Sequence, residues 1–322
     1  MGNQMDAASQ YIKDESETGM SLSLNGETEI RKTAAALRNR RKRIQKIFFT
    51  LFRIAALING AALFVIIFFM VKNGIGAINW TFLTEVPTDS MTKGGIFPCI
   101  VGTLCLSIGA ILVALPIGMA SAVYLNEYAR PGRMLRIIRL GISNLAGVPS
   151  VVFGLFGLAF FVVYLKMGVS ILAGALTLGA MTLPVIIGAT EEALKTVPNT
   201  YREASLALGA TKWQTIYRVI LPTALPGTLT GAILGLSRAA GETAPIMFTA
   251  AVFFTPEKWP SSILHKVMAL PYHIYVLATA GTEIEATRPL QYGTALVLIA
   301  LVLGMNLLAI VWRSRLRKRM RQ

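Results

Sequence analysis

Residues 199–222 read NTYREASLALGATKWQTIYRVILP, a loop with helical patterning set between two long apolar runs at 169–190 and 223–254. A run of about 20 apolar residues is what a helix needs to cross the hydrocarbon layer. A polar loop between two such runs therefore places the chain in a membrane, with the loop on one face. Four further apolar runs, at 48–71, 98–125, 141–165 and 290–312, extend the pattern to about six spans. The expected fold is all-α and polytopic. A shorter apolar piece at 267–280 contains Pro271 and His273 and is expected to be interfacial or re-entrant rather than a crossing.

Composition agrees with this reading. The chain is 54% hydrophobic and only 15% charged, too apolar to keep a soluble domain dispersed. Its net charge of +15 would suggest nucleic acid in a soluble protein, but topology explains it. With the N-terminus inside, 24 of the 31 Lys and Arg fall on the cytoplasmic side, 6 fall outside, and Arg238 lies within a span. That bias follows the positive-inside rule, puts both termini in the cytoplasm, and leaves no nucleic-acid partner to invoke.

The chain divides into a polar, flexible cytoplasmic extension at 1–45, a first span with its outer loop at 46–97, a main transmembrane region at 98–312 and a basic tail at 313–322. Cys99, Cys105, His265 and His273 show no ligand spacing, so no metal site is expected. No Walker A pattern occurs, and the chain is not expected to bind ATP. Basic residues at 130–139 read as an interfacial helix, and Trp80, Trp259 and Tyr272 as aromatics near the outer surface.

Within the loop, Asn199 can cap a helix starting near Thr200, and Gly209 is suited to end it in a left-handed conformation. Thr211 and Gln214 match a capping box that opens a second short helix. Trp213, Ile216, Tyr217 and Ile220 recur on one face of it. Small residues at Ala204, Ser205, Ala207 and Ala210 let another protein approach the backbone closely. Pattern alone allows either a docking site or an amphipathic hairpin lying on the membrane.

The run at 223–254 carries Arg238 and, one turn on, Glu242. An unpaired arginine in hydrocarbon costs at least ~2.5–3.5 kcal/mol, so Arg238 should face protein or a water-filled path. The pair is either a self-neutralising lock or a path for an anion, with Ser237 and Thr243 as hydroxylated wall. Pro245 can break the helix there.

Glu203-Ala204-Ser205, Gly209 and Leu221-Pro222 stand at the spacing of the EAA loop of ABC importer permeases, with Ser205 for the second alanine and Val219 for an isoleucine. The chain thus resembles the binding-protein-dependent transport permeases. That resemblance implies the type I ABC importer (MetI-like) architecture and a coupling loop, at 191–222, that inserts into a cytoplasmic ATPase. The string Ser237-Arg238-Ala239-Ala240-Gly241-Glu242-Thr243-Ala244-Pro245 is similar to the signature of phosphate-specific importers, in particular their PstA-type permeases. This resemblance implies inorganic phosphate as cargo, with Arg238 and Glu242 on its path. It also implies a PstC-like second permease, a PstB-like ATPase dimer that holds ATP and magnesium, and a PstS-like phosphate-binding protein, with no catalysis by this chain. Rival expectations are a permease for sulfate or molybdate and an ion-driven carrier.

Overall fold

The computed structural model describes residues 41–42, 44–91, 93–280 and 284–319. Residues 1–40 and 43 of the expected extension, and 320–322 of the tail, lie outside the described residues. Helix α1 is Ile44–Ala77, and its residues 44–68 stand as a unit of their own, exposed throughout. An apolar helix with no buried face is one whose solvent is lipid or another chain.

The remainder, from Phe69, is built on three helices: α3 (Phe97–Val123), α6 (Ile171–Lys195) and α9 (Leu221–Gly241). Helix α6 packs against both others and is the most buried of the three. Ala173, Gly174, Ala175 and Gly179 on α6 let its neighbours come close, as small residues do between membrane helices. Its buried Thr177 and Thr190 hydroxyls donate to carbonyls one turn back, at 2.8 and 2.7 Å. Helices α3 and α6 run through Pro116 and Pro184.

Shorter elements close the ends. Helix α2 (Trp80–Thr84), capped by Asn79, precedes a two-stranded antiparallel ribbon, β1 (Pro87–Thr88) with β2 (Lys93–Gly94). Helices α4 (Arg133–Ala146) and α5 (Ser150–Gly157) meet at a bend of 99°. Then come α7 (Asn199–Ala207), α8 (Lys212–Thr215), α10 (Ala244–Thr249), α11 (Leu270–Thr279) and α12 (Ile284–Arg319). The buried side chains fall into three clusters. One lies around Phe82, Ile96 and Leu270, one around Leu106, Leu178 and Ile246, and one around Leu125, Leu194 and Ile216.

Five helices among the described residues are long and apolar enough to span, and the bent α4–α5 pair makes a sixth if it counts as one crossing. The expected spans were displaced in two places. The run at 141–165 is interrupted at Gly147-Val148-Pro149, where proline cannot extend the preceding helix. The run at 223–254 ends at Gly241 and begins further back, because α8 passes through a π turn (Ile216–Ile220) directly into α9. Helix α11, ten residues long, is too short to cross and packs on α3 and α12. A Cβ on Gly102 of α3 would fall on the Met268 carbonyl oxygen, so only glycine allows this approach.

Candidate translocation and coupling sites

Pro245 has no N–H to offer Gly241, and α9 ends there, four residues before it. Glu242 follows in extended conformation, φ −78° and ψ 132°, and α10 starts at Ala244. Arg238 therefore sits in the last turn of α9, where its charge faces the helix's unpaired carbonyls. Its Nε donates to Glu242 Oε1 across 3.4 Å, a long contact. The arginine side chain is 34% exposed and the glutamate 19%. Among the described residues, neither terminal nitrogen of Arg238 has a partner, which leaves four N–H groups free.

Glu242 borders a narrow crevice with Thr103 and Ser107 of α3, Ile246 of α10, and Ala269 and Pro271. The two α3 hydroxyls donate to Cys99 O and Thr103 O, both at 2.7 Å, and Thr103 Oγ1 also accepts from Leu270 N–H at 2.9 Å. Ser237 turns to another neighbour: its hydroxyl donates to Asn306 Oδ1 of α12 at 2.8 Å. Thr243 occupies the N-cap position of α10 without a capping hydrogen bond from its side chain. The four residues expected on the path thus divide into the Arg238–Glu242 pair, a joint to α12 and a break residue.

At the other end of α9, Pro198, not Asn199, takes the N-cap position of α7. Asn199 lies inside the first turn and instead accepts from Arg202 Nη1 at 3.3 Å. Proline at the cap already holds extended backbone, so no side-chain cap is needed to start the turn. Gly209 has φ +83°; its N–H donates to Leu206 O at 2.9 Å and Ala210 N–H to Ser205 O at 3.2 Å. These two bonds make a Schellman closure. Thr211 and Gln214 form the capping box. Ser205 joins α7 to α8 through Thr215, with the two hydroxyl oxygens 2.9 Å apart.

The four-residue face expected on α8 is split. The π turn directs Ile216 and Ile220 into the cluster with Leu125 and Leu194, while Trp213 and Tyr217 stack outward with centroids 6.3 Å apart. Glu203, Ala204, Gly209 and Leu208 are exposed beside them, and Leu221 and Pro222 are half-buried where the chain enters α9.

Sequence reasoning missed what holds this loop. Arg202 binds Glu127, in the π turn (Tyr124–Tyr128) that follows α3, through Nη2–Oε1 at 2.8 Å and Nε–Oε2 at 3.4 Å. It also donates to Val197 O at 2.7 Å and Leu194 O at 3.1 Å. Lys212 lies 4.8 Å from the Tyr128 ring centroid. Arg139, grouped with the surface arginines by its spacing, points inward to Glu191, with Nε–Oε1 at 3.3 Å. Opposite charges 75 and 52 residues apart leave no local pattern in a sequence.

Residues 114–322, which contain both sites, match the family of binding-protein-dependent transport system inner membrane components. The chain belongs to this family. The probable ABC transporter permease YqgI of Bacillus subtilis is 33% identical to this permease over 84% of its length and 95% of the relative's. The phosphate transport system permease PstA 1 of Mycobacterium tuberculosis (strain H37Rv) is 37% identical over 73% of this chain and 74% of its own. A probable PstA of Methanocaldococcus jannaschii is 36% identical over 80% and 90%. Two solved structures share the fold, each at a TM-score of 0.53: an inward-facing MetNI methionine ABC transporter, at 21% identity over 69% of this chain and 94% of that one, and a bacterial alginate ABC transporter, at 14% over 82% and 94%. The permease is accordingly an all-α, multi-pass inner-membrane protein of the type I importer architecture.

Proposed function

We propose that this chain is the permease subunit of an ATP-driven importer of inorganic phosphate. The observation that carries the cargo is Arg238: anchored to Glu242 by one long contact, it keeps four N–H groups free among the described residues and is a third exposed. A guanidinium fork matches phosphate oxygens in pairs, and Glu242 restrains the arginine from holding the anion too tightly. Relatives named for phosphate transport support the same cargo over sulfate or molybdate.

The same reading assigns partners. The exposed Trp213–Tyr217 stack and the small-residue face of α7 suit the groove of a cytoplasmic ATPase, on which ATP and magnesium would sit. A second, PstC-like permease would complete the path, with two PstB-like ATPase copies inside and a PstS-like binding protein outside. The permease itself breaks no covalent bond, and both termini lie in the cytoplasm. Closure of the ATPases would push α7 and α8. The helical run Lys212–Gly241 would then carry that push toward Arg238, about 39 Å away at ~1.5 Å per residue.

The test is labelled-phosphate uptake by the reconstituted complex with ATP inside the vesicles. Wild type should accumulate phosphate against excess sulfate, and Arg238→Gln should lower uptake at least ~tenfold by removing a charge-assisted hydrogen-bond donor. Uptake without ATP, or equal competition by sulfate, would overturn the assignment. Unchanged uptake in Arg238→Gln would reduce the pair to a lock.

A further inference from the structure

A second basic site lies at the opposite end of α9 from Arg238. A cavity of about 740 Å³ opens where the end of α6, helix α7, the start of α9 and the end of α12 converge. Arg218 of the π turn, Arg313 of α12 and Tyr201 of α7 line it, together with Thr196, Thr223 and Thr230, and no carboxylate does.

The two arginines stand in contrast to Arg139 and Arg202. Arg139 and Arg202 each face a buried glutamate. Among the described residues, neither Arg218 nor Arg313 has an ion-pair partner. Arg313 is nonetheless held in place: its Nη1 donates to Thr230 Oγ1 at 2.7 Å. The Thr230 hydroxyl proton is already directed at Pro226 O, at 3.0 Å, so its oxygen is free to accept. A neutral hydroxyl thus orients the guanidinium without cancelling its charge.

The remaining donors in the cavity are few. Thr196 and Thr223 donate to Ala193 O and Val219 O, at 2.7 and 2.6 Å, so their protons are committed. Among the described residues, the lining side-chain donors with no acceptor are Arg218, the rest of the Arg313 fork and the Tyr201 hydroxyl, Arg218 and Tyr201 standing exposed at the cavity's rim. Two cations without an acidic partner among the described residues, and a phenol, in a partly enclosed space, raise the local concentration of anions and match the oxygens of a phosphate group.

We propose that this cavity is a second oxyanion site, separate from the Arg238 pathway, which takes a phosphate group at the end of the permease that carries the coupling loop. The group is either free inorganic phosphate or the headgroup of an anionic lipid. The cavity touches Tyr201 of α7 and Val219 and Pro222 at the head of α9, so an anion there bridges the coupling loop to α12.

The test uses the permease–ATPase complex without its binding protein, nucleotide-free, in nanodiscs, with Arg238→Gln present to silence the pathway site. In phosphatidylcholine discs, labelled inorganic phosphate should bind. Arg218→Gln with Arg313→Gln should weaken that binding more than ~tenfold, as expected for losing charged hydrogen bonds. Arg218→Lys with Arg313→Lys should preserve most of it. Adding phosphatidylglycerol separates the sources. If the lipid displaces phosphate and is retained by the arginine protein but not by the glutamine variant, the headgroup is the ligand; undisturbed phosphate binding identifies the free anion. Glutamine and arginine proteins that bind phosphate and retain anionic lipid equally would overturn the site. The readout is binding and not uptake, so either result leaves the proposed cargo to its own experiment.

Discussion

Arg202 donates all five of its N–H groups to protein acceptors, whereas among the described residues Arg238 gives one and keeps four. The first arginine is structural by that measure and the second is available. Replacement by lysine should therefore act differently at the two positions. Arg238→Lys keeps a point charge near the path and should retain part of the phosphate uptake. Arg202→Lys cannot reach acceptors on the α3 run, α6 and α7 at once, and should lower the unfolding midpoint of the purified complex. Gly209 offers a second residue-scale test. No atom stands within 4 Å of a Cβ placed there, so the φ of +83° alone demands glycine. Gly209→Val should cost about 1–2 kcal/mol locally and uncouple ATP hydrolysis from uptake. Gly209→Asn, which tolerates the left-handed region, should stay close to wild type. Loss of membrane insertion in the valine variant would show a folding role instead.

At the scale of elements, the proposed coupling loop is an extension of α9 tied back to the end of the α3 run. The π turn keeps α8 and α9 in one helical run, Ile216 and Ile220 plug the cluster beneath it, and the Arg202–Glu127 pair joins α7 to the end of the α3 run. The glutamate in that pair is only 8% exposed and the arginine 19%. Removing one partner strands a buried charge, at a cost of ~3–5 kcal/mol. We expect Glu127→Gln and Arg202→Ala each to reduce ATP-coupled uptake while leaving basal ATP hydrolysis intact. Their double variant should fall well short of the sum of the two losses. A strictly additive double variant, in stability or coupling, would mean that the pair does not transmit motion. The break at 241–243 is the corresponding device at the far end, where Pro245 stops the helix so that Arg238 and Glu242 stand at a helix end.

At the scale of the whole molecule, the chain buries α6, half-buries α12 and leaves residues 44–68 of α1 exposed. A bare apolar helix in a membrane protein faces lipid or another subunit. The proposed topology puts both termini on the coupling-loop side. A fluorescent-protein fusion at the C-terminus should therefore glow, and an alkaline phosphatase fusion there should be inactive. Trp259→Cys should react with a membrane-impermeant thiol reagent added from outside. The reverse pattern would invert the topology and move the coupling loop away from any cytoplasmic ATPase.

Apolar runs, the charge bias, the capping box, Gly209 and Pro245 were legible because each is a local instruction: a length, a tally, a cap or a missing N–H, read over a few neighbouring residues. The membrane class, the all-α fold, the helix–turn–helix of the 191–222 loop and the Arg238–Glu242 pair all follow from such instructions; a coupling role for that loop came only from its resemblance to the EAA loop. Where local signals competed, the sequence misled. The run at 141–165 reads as one span but bends by 99° before Ser150, and Trp213 and Ile216 share a face only until a π turn separates them. Tertiary structure alone decided that Arg202 meets Glu127, Arg139 meets Glu191 and Ser237 meets Asn306, leaving Arg218, Arg313 and Arg238, among the described residues, with N–H groups to spare. Every arginine carries the same charge in the sequence. Whether that charge is cancelled depends on which distant acid the packing of α3, α6 and α9 brings within about 3 Å, and no local pattern encodes that distance.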